Sequence, residues 1–365
     1  MKILLLGEYS NVHHTLALGF RALGHRVVVV SNGDFWKNYP RDVDVSRHPG
    51  ALSGLRLYAK LLRLLPQWRG FDIVQLINPM FFELKAERLF FFYRYLRRHN
   101  RCVILGAFGM DYYWVHENIT RFPLRYSDFN IGNALRKDAE AQRHIAEWSG
   151  TTKAALNQYI AQDCDLIIAG LYEYWVCYQP LYPRKTVFCP LPIIPKAVRT
   201  APVSGALKAF IGINQARSAY KGTDRMLRVA EQLQRGFPQQ FSLRVARDMP
   251  FAQYVAVMQP CDLLFDQLYS YTPAMNALEA MSYGVVCVGG GEPESYELLG
   301  EKLLRPVINV QPDEENCYQQ LMPFIQHPER LNALKQQSID YVKAHHDYIK
   351  VAQQYLHCYE QALHN

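Results

Sequence analysis

Ten short apolar runs alternate with segments of helical periodicity, six of them before residue 190 and four after residue 207. Most of these runs are continuously apolar and rich in Val, Ile and Leu, which is typical of strands buried on both faces of a parallel sheet. The alternation therefore predicts α/β architecture. The predicted strands are Lys2–Leu6, Arg26–Val30, Asp72–Leu76, Cys102–Leu105, Leu166–Ala169, Thr186–Cys189, Lys208–Ile213, Phe241–Ala246, Cys261–Phe265 and Val285–Val288.

A proline-rich stretch separates the two series of strands. Pro190, Pro192, Pro195 and Pro202 fall within thirteen residues, as in connections between domains. A length of 365 residues also suits two hydrophobic cores better than one. We therefore predict an N-terminal domain over 1–195, a C-terminal domain over 205–328 and a helical segment over 329–365.

Cysteine usage and apolar runs indicate where the protein resides. The eight cysteines form no Cys-x-x-Cys pair and lie mainly in apolar contexts, as expected of reduced core residues in a cytosolic protein. Met1–Gly7 is too short for a signal peptide, and no apolar run reaches the roughly 18 residues that a membrane span needs. We expect a soluble, cytoplasmic protein.

Charge is divided unevenly along the chain. Residues 1–200 carry 26 Lys or Arg against 16 Asp or Glu, a net charge of +10. Because the whole chain has a net charge of +7, residues 201–365 have a net charge of −3. Basic residues interleave with apolar ones in Leu55–Leu65 and in Lys85–Arg101. Such segments fit peripheral association with an anionic membrane, or helices with one face in the core and a solvated basic face. Nucleic acid fits less well, because no binding module accompanies the charge.

A short segment in the second half combines a capped helix with one carboxylate. Thr272 and Pro273 are residue types preferred at the N-cap and first position of a helix, and Gly284 is typical of a helix end. Glu279 falls on the same helical face as Thr272, so its carboxylate is expected on the side leading to the N-terminus. That terminus attracts phosphate, because its amides are unpaired and the helix dipole is positive there. The pattern predicts half of a nucleotide-sugar site.

The loop after the strand Lys208–Ile213 contains further candidates, because ligands of parallel sheets bind beyond the carboxyl ends of strands. Asn214, Arg217 and Lys221 lie in this loop, and Thr223 is placed to cap the next helix. Arg217 and Lys221 would flank the helix N-terminus, which suits a leaving diphosphate with two negative charges. The alternative is an exposed loop with ordinary surface cations.

Other strand ends supply polar and aromatic side chains. Asp266 could bond hydroxyl groups of a sugar or ribose, or satisfy nearby loop amides. Tyr269 and Tyr271 could stack against a base or sugar ring, or pack in the wall of a cleft. Asp111, after the fourth strand, could bond a sugar hydroxyl or orient an acceptor, or cap the following helix.

The first loop of the chain, which contains Asn11, His13 and His14, has a different character. Asn11 is expected to cap the next helix, and a histidine here could act as a base or donate to a sugar or phosphate, although packing or surface roles are commoner. The loop lacks Gly-x-Gly-x-x-Gly, which argues against a dinucleotide-dependent oxidoreductase. Metal binding has no support either, because no strand-end loop carries Asp-x-Asp and there is no Cys or His quartet.

The segment around Glu279 resembles the retaining GT-B glycosyltransferases of the glycosyltransferase family 4-like group, also called the family 1 glycosyl transferase group. Those proteins carry two glutamates separated by seven residues, then Ala-Met-x-x-Gly and a Gly-Gly-x-Pro-Glu turn. This chain has Glu279, Ala280-Met281, Gly284 and Gly290-Gly291-Glu292-Pro293-Glu294 at the matching positions. Tyr271 stands where the family has its first glutamate, so recognition of the donor sugar does not carry over.

The resemblance implies an α/β fold of the GT-B type, with two Rossmann-like parallel-sheet domains around an interdomain cleft. The helices of 329–365 would return to the N-terminal domain, which would be on the acceptor side. Glu279 would bind the donor ribose, Arg217 and Lys221 the donor phosphates, and Glu294 would contact the donor or cap its own helix. We predict Asp111, Arg217 and Lys221 as catalytic residues and Asn214, Asp266, Tyr271, Thr272, Glu279, Gly290, Gly291 and Glu294 as donor-binding residues.

The function that follows is a glycosyltransferase of the hexosyltransferase class. It would move a sugar from a nucleoside-diphosphate sugar to a hydroxyl of a glycan or lipid-linked acceptor in surface polysaccharide synthesis, with retention. The donor is a substrate, and neither cofactor nor metal is expected. The alternatives are a GT-B-shaped nucleotide-sugar epimerase and a degenerate protein that binds the donor without turnover. Peripheral contact with the inner face of the cytoplasmic membrane would fit the basic segments.

Overall fold

The computed structural model describes residues 1–196, 200–247 and 249–364, and these divide into two compact units. The first unit comprises Met1–Glu117, Ile145–Pro192 and the chain from Tyr348 onward. The second comprises Asn118–His144 and the described part of Ile193–Asp347. This division differs from the predicted one in two places. Residues 118–144 pack with the second unit, and the chain rejoins the first unit at Tyr348 rather than near residue 329.

Both units alternate strands and helices. The strands are β1 (Lys2–Leu6), β2 (Arg26–Ser31), β3 (Val43–Asp44), β4 (Ile73–Leu76), β5 (Cys102–Ala107), β6 (Asn130–Ile131), β7 (Ala134–Leu135), β8 (Leu166–Ala169), β9 (Thr186–Phe188), β10 (Leu207–Ile213), β11 (Phe241–Arg247), β12 (Leu263–Phe265), β13 (Val286–Gly289) and β14 (Ile308–Asn309). The α-helices are α1 (Val12–Ala22), α2 (Ser53–Leu64), α3 (Ala86–His99), α4 (Tyr112–Thr120), α5 (Ala139–Trp148), α6 (Thr152–Asp163), α7 (Tyr172–Tyr178), α8 (Ser218–Lys221), α9 (Thr223–Gly236), α10 (Phe251–Met258), α11 (Met275–Ser282), α12 (Pro293–Leu299), α13 (Glu314–Gln326), α14 (Leu331–Tyr341) and α15 (Tyr348–His364). Short 3₁₀ turns lie at Phe35–Lys37, Leu65–Gln67, Gln215–Arg217 and Pro328–Arg330, and a π-helical turn at Val342–His346.

The sheet of the first unit has seven parallel strands in the order β3-β2-β1-β4-β5-β8-β9. Every residue of β4, β5 and β8 is buried, as expected for strands covered on both faces. A buried chain of hydrogen bonds links this sheet to the last helix. Gln75 Nε2 donates to His13 Nε2 (3.1 Å), and the hydroxyl of Tyr359 on α15 donates to Gln75 Oε1 (2.6 Å). The C-terminal helix is thereby an integral part of the first unit.

The second unit has a five-stranded parallel sheet in the order β11-β10-β12-β13-β14. Its core includes Ile211, Met226, Leu263 and Val286, all buried. Because β11 lies on one side of β10 and the later strands on the other, the connections diverge between β10 and β12. In parallel α/β sheets, ligands bind at the carboxyl ends of the strands beside such a point.

The ten predicted strands are all present, with ends that differ from the prediction by two residues at most. The prediction missed four elements, β3, β6, β7 and β14, each two residues long. A two-residue strand has too few positions to show a hydrophobic pattern, so these elements depend on tertiary packing. Within the described residues, no helix combines the length and apolarity needed to cross a membrane.

The last long helix of the second unit, α14, is joined to the sheet by a buried ion pair. Lys335 Nζ lies 2.9 Å from Asp262 Oδ1, and Asp262 Oδ2 accepts the Lys208 N–H at 3.0 Å. The side chains of Lys335 and Asp262 are only 10% and 11% exposed. Removal of one partner would leave a buried charge uncompensated, which is strongly destabilising in proteins.

We therefore expect Lys335→Ala to lower the free energy of unfolding by about 3 kcal/mol, the lower end of the range for a broken buried pair. Lys302→Ala is a matched control, because Lys302 is exposed, and its effect should stay within about 0.5 kcal/mol. Urea denaturation followed by circular dichroism measures both variants. Equal stabilities for the two variants would show that the Asp262 pair contributes little.

Candidate functional site

Three loops meet at the carboxyl edge of the second sheet. They follow β10, β12 and β13, and they are hydrogen-bonded to one another. The Leu268 N–H donates to the carbonyl of Lys221 (3.0 Å), and the Glu292 N–H donates to the carbonyl of Tyr271 (3.0 Å). The parallel sheet thus brings together residues that are 47 and 21 positions apart in sequence.

Two helices begin at this edge without a side-chain cap. Gly222 is the residue before α9, with φ of +74°, and Ala274 is the residue before α11; neither position has a side-chain cap hydrogen bond. The amides of such a helix start can bind an anion. Both helix starts therefore lie at the edge where the sequence predicts phosphate binding, which stays a prediction.

Both threonines predicted as caps have other positions, and those two predictions are wrong. Thr223 is the first residue of α9, and its hydroxyl lies 3.0 Å from Ser218 Oγ. Thr272 is buried in the loop before α11, which starts at Met275. The helix starts late because the preceding chain is extended alongside the glycine-rich turn, with Ala274 at φ −90° and ψ −175°. At the other end Gly284 has φ of +76° and ends α11 as predicted.

Glu279, the predicted ribose ligand, lies in the middle of α11. Its Oε1 is 3.1 Å from Lys196 Nζ, and the two side chains are 22% and 27% exposed. The carboxylate is accessible to a ligand, although it already has a cationic partner. Sequence reasoning missed Lys196, which follows the proline-rich connection and shows no motif of its own.

Asp266 is buried at the end of β12 and accepts a hydrogen bond from Asn276 Nδ2 at 2.7 Å. Burial raises the pKa of Asp266, while the hydrogen bond from Asn276 and the charge of Lys221 act in the opposite direction. The carboxylate therefore anchors the first turn of α11 to the sheet. Asn214, another predicted donor-binding residue, is exposed directly after β10, and its carbonyl accepts the Arg217 N–H at 3.0 Å.

The glycine-rich turn after β13 depends on residues without side chains. A Cβ at Gly290 would lie 2.2 Å from the carbonyl oxygen of Ser270, and a Cβ at Gly291 would lie 2.8 Å from Val307 Cβ. The Gly291 N–H also donates to Asn309 Oδ1 at 2.9 Å. Close contact between neighbouring loops is therefore the reason for both glycines.

Residues 118–144, which we call the insert, belong to the second unit and lie at this edge of its sheet. Arg125 is its main contact with the glycine-rich turn. The guanidinium forms ion pairs with Glu292 Oε2 (2.6 Å) and with Glu294, and the Arg125 N–H donates to the hydroxyl of Tyr271 at 2.8 Å. Tyr126 donates its hydroxyl to Glu292. Both Tyr271 and Glu294, predicted as donor-binding residues, are thus bonded to the insert.

The insert also contacts the other two loops. The guanidinium of Arg136 stacks on the ring of Tyr269, 3.6 Å from its centroid, and donates to the Ala219 carbonyl at 2.8 Å. Arg217 Nε, from the predicted phosphate site, donates to Glu140 Oε1 at 2.9 Å. All three loops therefore bind side chains of the insert.

Sequence reasoning placed this segment in the N-terminal domain, so Arg125, Arg136 and Glu140 were missed. One local signal was available. Gly132 and Asn133 form a two-residue turn between β6 and β7, and such a dipeptide is a strong hairpin signal when its flanking residues pair. The flanking strands are too short to attract attention without the structure.

Asp111 lies in the first unit, where it caps α4. Its carboxylate accepts the Trp114 N–H at 2.8 Å and the hydroxyl of Tyr178 at 2.7 Å, and the residue is fully buried. Of the two roles left open for Asp111, the observed contacts are those of the helix cap. Burial raises the pKa of Asp111 to about 7, against the opposing effect of these hydrogen bonds.

The first loop is also built for helix capping. Glu8 accepts the N–H groups of His13 (3.1 Å) and His14 (2.8 Å), whereas Asn11, the predicted cap, makes no side-chain cap hydrogen bond. Burial raises the pKa of Glu8 to about 8 and lowers that of His13 to about 3. His13 is thus neutral and donates from Nδ1 to the Gly7 carbonyl at 2.8 Å, as expected of a packed histidine.

Comparison with known proteins defines the fold. Neither the protein-family models nor the curated proteins contain a match to the sequence. Among solved structures, HepE from Anabaena in complex with UDP is 14% identical, with 99% of this chain and 100% of that one covered at a TM-score of 0.61. WaaG, a glycosyltransferase involved in lipopolysaccharide biosynthesis, is 13% identical over 97% and 98% of the two chains, with a TM-score of 0.55.

A third similar structure belongs to a protein with a different assigned activity. The putative UDP-N-acetylglucosamine 2-epimerase from Listeria monocytogenes is 10% identical over 98% of this chain and 94% of that one, with a TM-score of 0.53. The chain therefore has the GT-B fold, built from two parallel α/β units, which confirms the fold class predicted from the sequence.

The raised pKa of Asp111 has a measurable consequence for stability. Its unfolded-state pKa is near 4, so between pH 4 and 7 the folded protein holds this proton more tightly than the unfolded chain does. The contribution of Asp111 to the free energy of unfolding should therefore fall as pH rises through that window. Relative to Asp111→Asn, which does not titrate, the wild type should lose up to a few kcal/mol between pH 4 and 8.

Asp72→Asn is the control, because hydrogen bonding by the Lys2 N–H lowers the pKa of Asp72. Its contribution should be present above about pH 4 and lost only below it. Urea denaturation of the three proteins at several pH values measures the differences. A constant difference between wild type and Asp111→Asn from pH 4 to 8 would contradict the raised pKa.

Proposed function

We propose that this protein is a glycosyltransferase whose donor, a nucleoside-diphosphate sugar, binds at the carboxyl edge of the second sheet. The observation that carries the proposal is the coincidence of two uncapped helix starts with Arg217, Lys221 and Glu279 at that edge. Helix starts and cations favour phosphate, and a carboxylate favours the ribose hydroxyls. HepE, of similar fold, has been solved with UDP and with UDP-glucose, which supports a donor of this class.

In sugar transfer the protein mainly positions the donor and acceptor and stabilises the charge that develops as the donor bond breaks. As the bond between the anomeric carbon and the diphosphate oxygen breaks, positive charge develops on the sugar and negative charge on the leaving diphosphate. Arg217, Lys221 and the start of α9 would stabilise that negative charge. The acceptor hydroxyl then bonds to the anomeric carbon. Retention of configuration is the outcome implied by the resemblance around Glu279.

The insert would have to respond to the donor. Arg217 holds the carboxylate of Glu140, which occupies a position where a phosphate would be expected to bind. Donor phosphate would replace Glu140 on Arg217, an exchange of one anion for another. Arg125 can remain on Glu292 and Glu294, where it would form one wall of the sugar subsite beside Tyr271.

A panel of nucleotide sugars tests the proposal, first for thermal stabilisation and then for turnover. A glycosyltransferase consumes the stabilising donor in step with an added acceptor and releases nucleoside diphosphate. The epimerase alternative, favoured by the similarity to the Listeria structure, predicts a changed sugar without any acceptor. Stabilisation by no nucleotide sugar would contradict both activities.

Glu279 gives the first prediction about the donor. Glu279→Ala should weaken binding of the preferred nucleoside diphosphate by roughly 1 to 3 kcal/mol, the usual loss for a hydrogen bond to a charged group. Glu297→Ala is the control, because Glu297 is an exposed carboxylate on α12. Calorimetry on folded proteins measures both affinities, and unchanged binding by Glu279→Ala would reject the ribose assignment.

Lys221 gives the second prediction about the donor, which concerns its phosphates. Lys221→Ala should lower kcat by about 10² to 10³ at saturating donor, as expected for loss of a preorganised transition-state donor. Arg217→Ala should act in the same direction. Arg235→Ala, an exposed cation at the other end of α9, should leave kcat near the wild-type value. If all three variants turn over at the same rate, the loop after β10 is not the phosphate site.

We further propose that the acceptor is a lipid-linked or membrane-bound glycan in surface polysaccharide synthesis. Helices α2 and α3 lie side by side, since the rings of Tyr58 and Phe92 pack at 5.7 Å. They carry exposed apolar side chains, with Leu55 58% and Phe91 47% exposed. Exposed cations on the same helices are Arg56, Lys60, Arg63, Arg88, Arg94 and Arg98. WaaG, of similar fold, is named for lipopolysaccharide biosynthesis, which agrees with such an acceptor.

Sedimentation with lipid vesicles tests this acceptor proposal, and the variant used for it should keep Arg97 of α3. Arg97 forms two hydrogen bonds of 2.8 Å with the carboxylate of Asp165, so its replacement would disturb the first unit. The variant with Gln in place of Lys60, Arg63, Arg94 and Arg98 should bind anionic vesicles more weakly, by about 1 kcal/mol for each charge removed at low salt. It should therefore sediment less with these vesicles. High salt should weaken wild-type binding. Equal pelleting of both proteins, or of neither, would favour a soluble glycan acceptor.

A further inference from the structure

Two cysteines meet at the surface of the first unit. The sulfur atoms of Cys189 and Cys358 are 3.7 Å apart. Cys189 follows β9 and is buried, whereas Cys358 lies on α15 and is partly exposed. Both residues line a shallow surface groove together with Lys350 and His357. The pair is thus close enough to react and open to a small reagent.

The two thiols differ in exposure, because Cys189 is buried and Cys358 is partly exposed, and they differ in the direction of their pKa shifts. Hydrogen bonding between them lowers the pKa of Cys358 and raises that of Cys189, as it must when one sulfur donates and the other accepts. The thiolate is the reactive form of cysteine, so Cys358 is the attacking group and Cys189 the group that resolves. The other six cysteines, Cys102, Cys164, Cys177, Cys261, Cys287 and Cys317, are all buried.

We propose that Cys189 and Cys358 form a reversible redox site, which a low-molecular-weight disulfide such as oxidised glutathione converts into an intramolecular disulfide. This inference is independent of the proposed sugar transfer. It assigns a role to two residues that are not among those assigned to the donor.

The reaction has two exchange steps. The Cys358 thiolate attacks one sulfur of oxidised glutathione, the S–S bond breaks, and one glutathione leaves as a thiolate that takes a proton from water. Cys189 then loses its proton to water and attacks the sulfur of Cys358, and the second glutathione leaves in the same way. Two protein thiols are oxidised to one disulfide, and one oxidised glutathione is reduced to two thiols.

The geometry requires only a local movement. A disulfide bond is about 2.05 Å long, so the two sulfurs must approach each other by roughly 1.7 Å. Cys189 directly follows β9, and its N–H donates to the Ala169 carbonyl of β8 at 3.1 Å, so the backbone is held and the approach falls to the two side chains. Lys350, one of the residues that line the groove, has the charge that suits the carboxylates of glutathione.

The positions of Cys189 and Cys358 in the chain indicate how a disulfide between them would affect stability. The chain leaves the first unit after Pro192 and returns to it at Tyr348, so the cysteines lie on the two segments that carry these connections. Their bond would close a loop with a sequence separation of 169 residues, which contains most of the second unit. Long closed loops restrict the unfolded chain, and oxidation should therefore raise the thermal stability.

The test treats the folded full-length chain with oxidised glutathione and maps its thiols by mass spectrometry after alkylation. The expected result is loss of two of the eight free thiols, with one cross-linked peptide pair that contains Cys189 and Cys358. The melting temperature should rise by on the order of 5 °C and return after dithiothreitol. Complete alkylation of both cysteines after oxidation, or a stable glutathione adduct on the wild type, would overturn the proposal.

Two variants test the order of attack. Cys189→Ser should stop at the mixed disulfide and retain one glutathione on Cys358, whereas Cys358→Ser should take up little glutathione because Cys189 is buried. Equal glutathione uptake by the two variants would contradict the assigned order. Melting curves under reducing conditions show whether each variant is folded, and the cross-link in the wild type decides the pairing without either variant.

Discussion

Burial of both faces of two parallel sheets determines where the other features of this protein lie. Strands such as β4, β5, β12 and β13 have no exposed residue, so their polar connections are confined to the sheet edges. In the second unit three of these connections meet at one carboxyl edge. The candidate donor site is therefore a consequence of the sheet order, and its residues need not be near one another in sequence.

Charges at that edge are paired with partners from other parts of the chain. Arg217 binds Glu140, Glu279 binds Lys196, and Glu294 binds Arg125. Each of these pairs has partly exposed side chains, and such pairs contribute little to stability on their own. The pairs are accordingly easy to exchange for a charged ligand. A site that binds and releases a diphosphate needs charged residues whose partners exchange in this way.

The sequence was sufficient for the strands and the glycine-rich turn, because each depends on a local pattern, whereas the GT-B fold was implied by the family resemblance around Glu279. Continuous apolar runs identify buried strands, and Gly290 and Gly291 mark a close approach that their neighbours in sequence already suggest. Helix starts were less predictable. Thr223 and Thr272 are residue types suited to caps, but the packing of adjacent loops moved each helix start to another residue.

The insert could not be predicted because its role is set by packing with residues about 80 to 170 positions away. Arg125, for example, is separated from Glu294 by 169 residues. The same limitation explains Asp111, for which spacing allowed a sugar ligand or a cap equally, and only the contacts with Trp114 and Tyr178 distinguish them. Local patterns identify elements, whereas the partners of charged side chains depend on tertiary structure.

Hydrogen exchange of the full-length chain with and without UDP tests the central claim most directly. The account predicts slower amide exchange on UDP binding in the loop 214–222, at the start of α9 and along α11 around Glu279. These amides lie at the carboxyl edge of the second sheet, where phosphate and ribose are assigned. Protection confined to the first unit, or no protection by UDP or any other nucleoside diphosphate, would contradict the account.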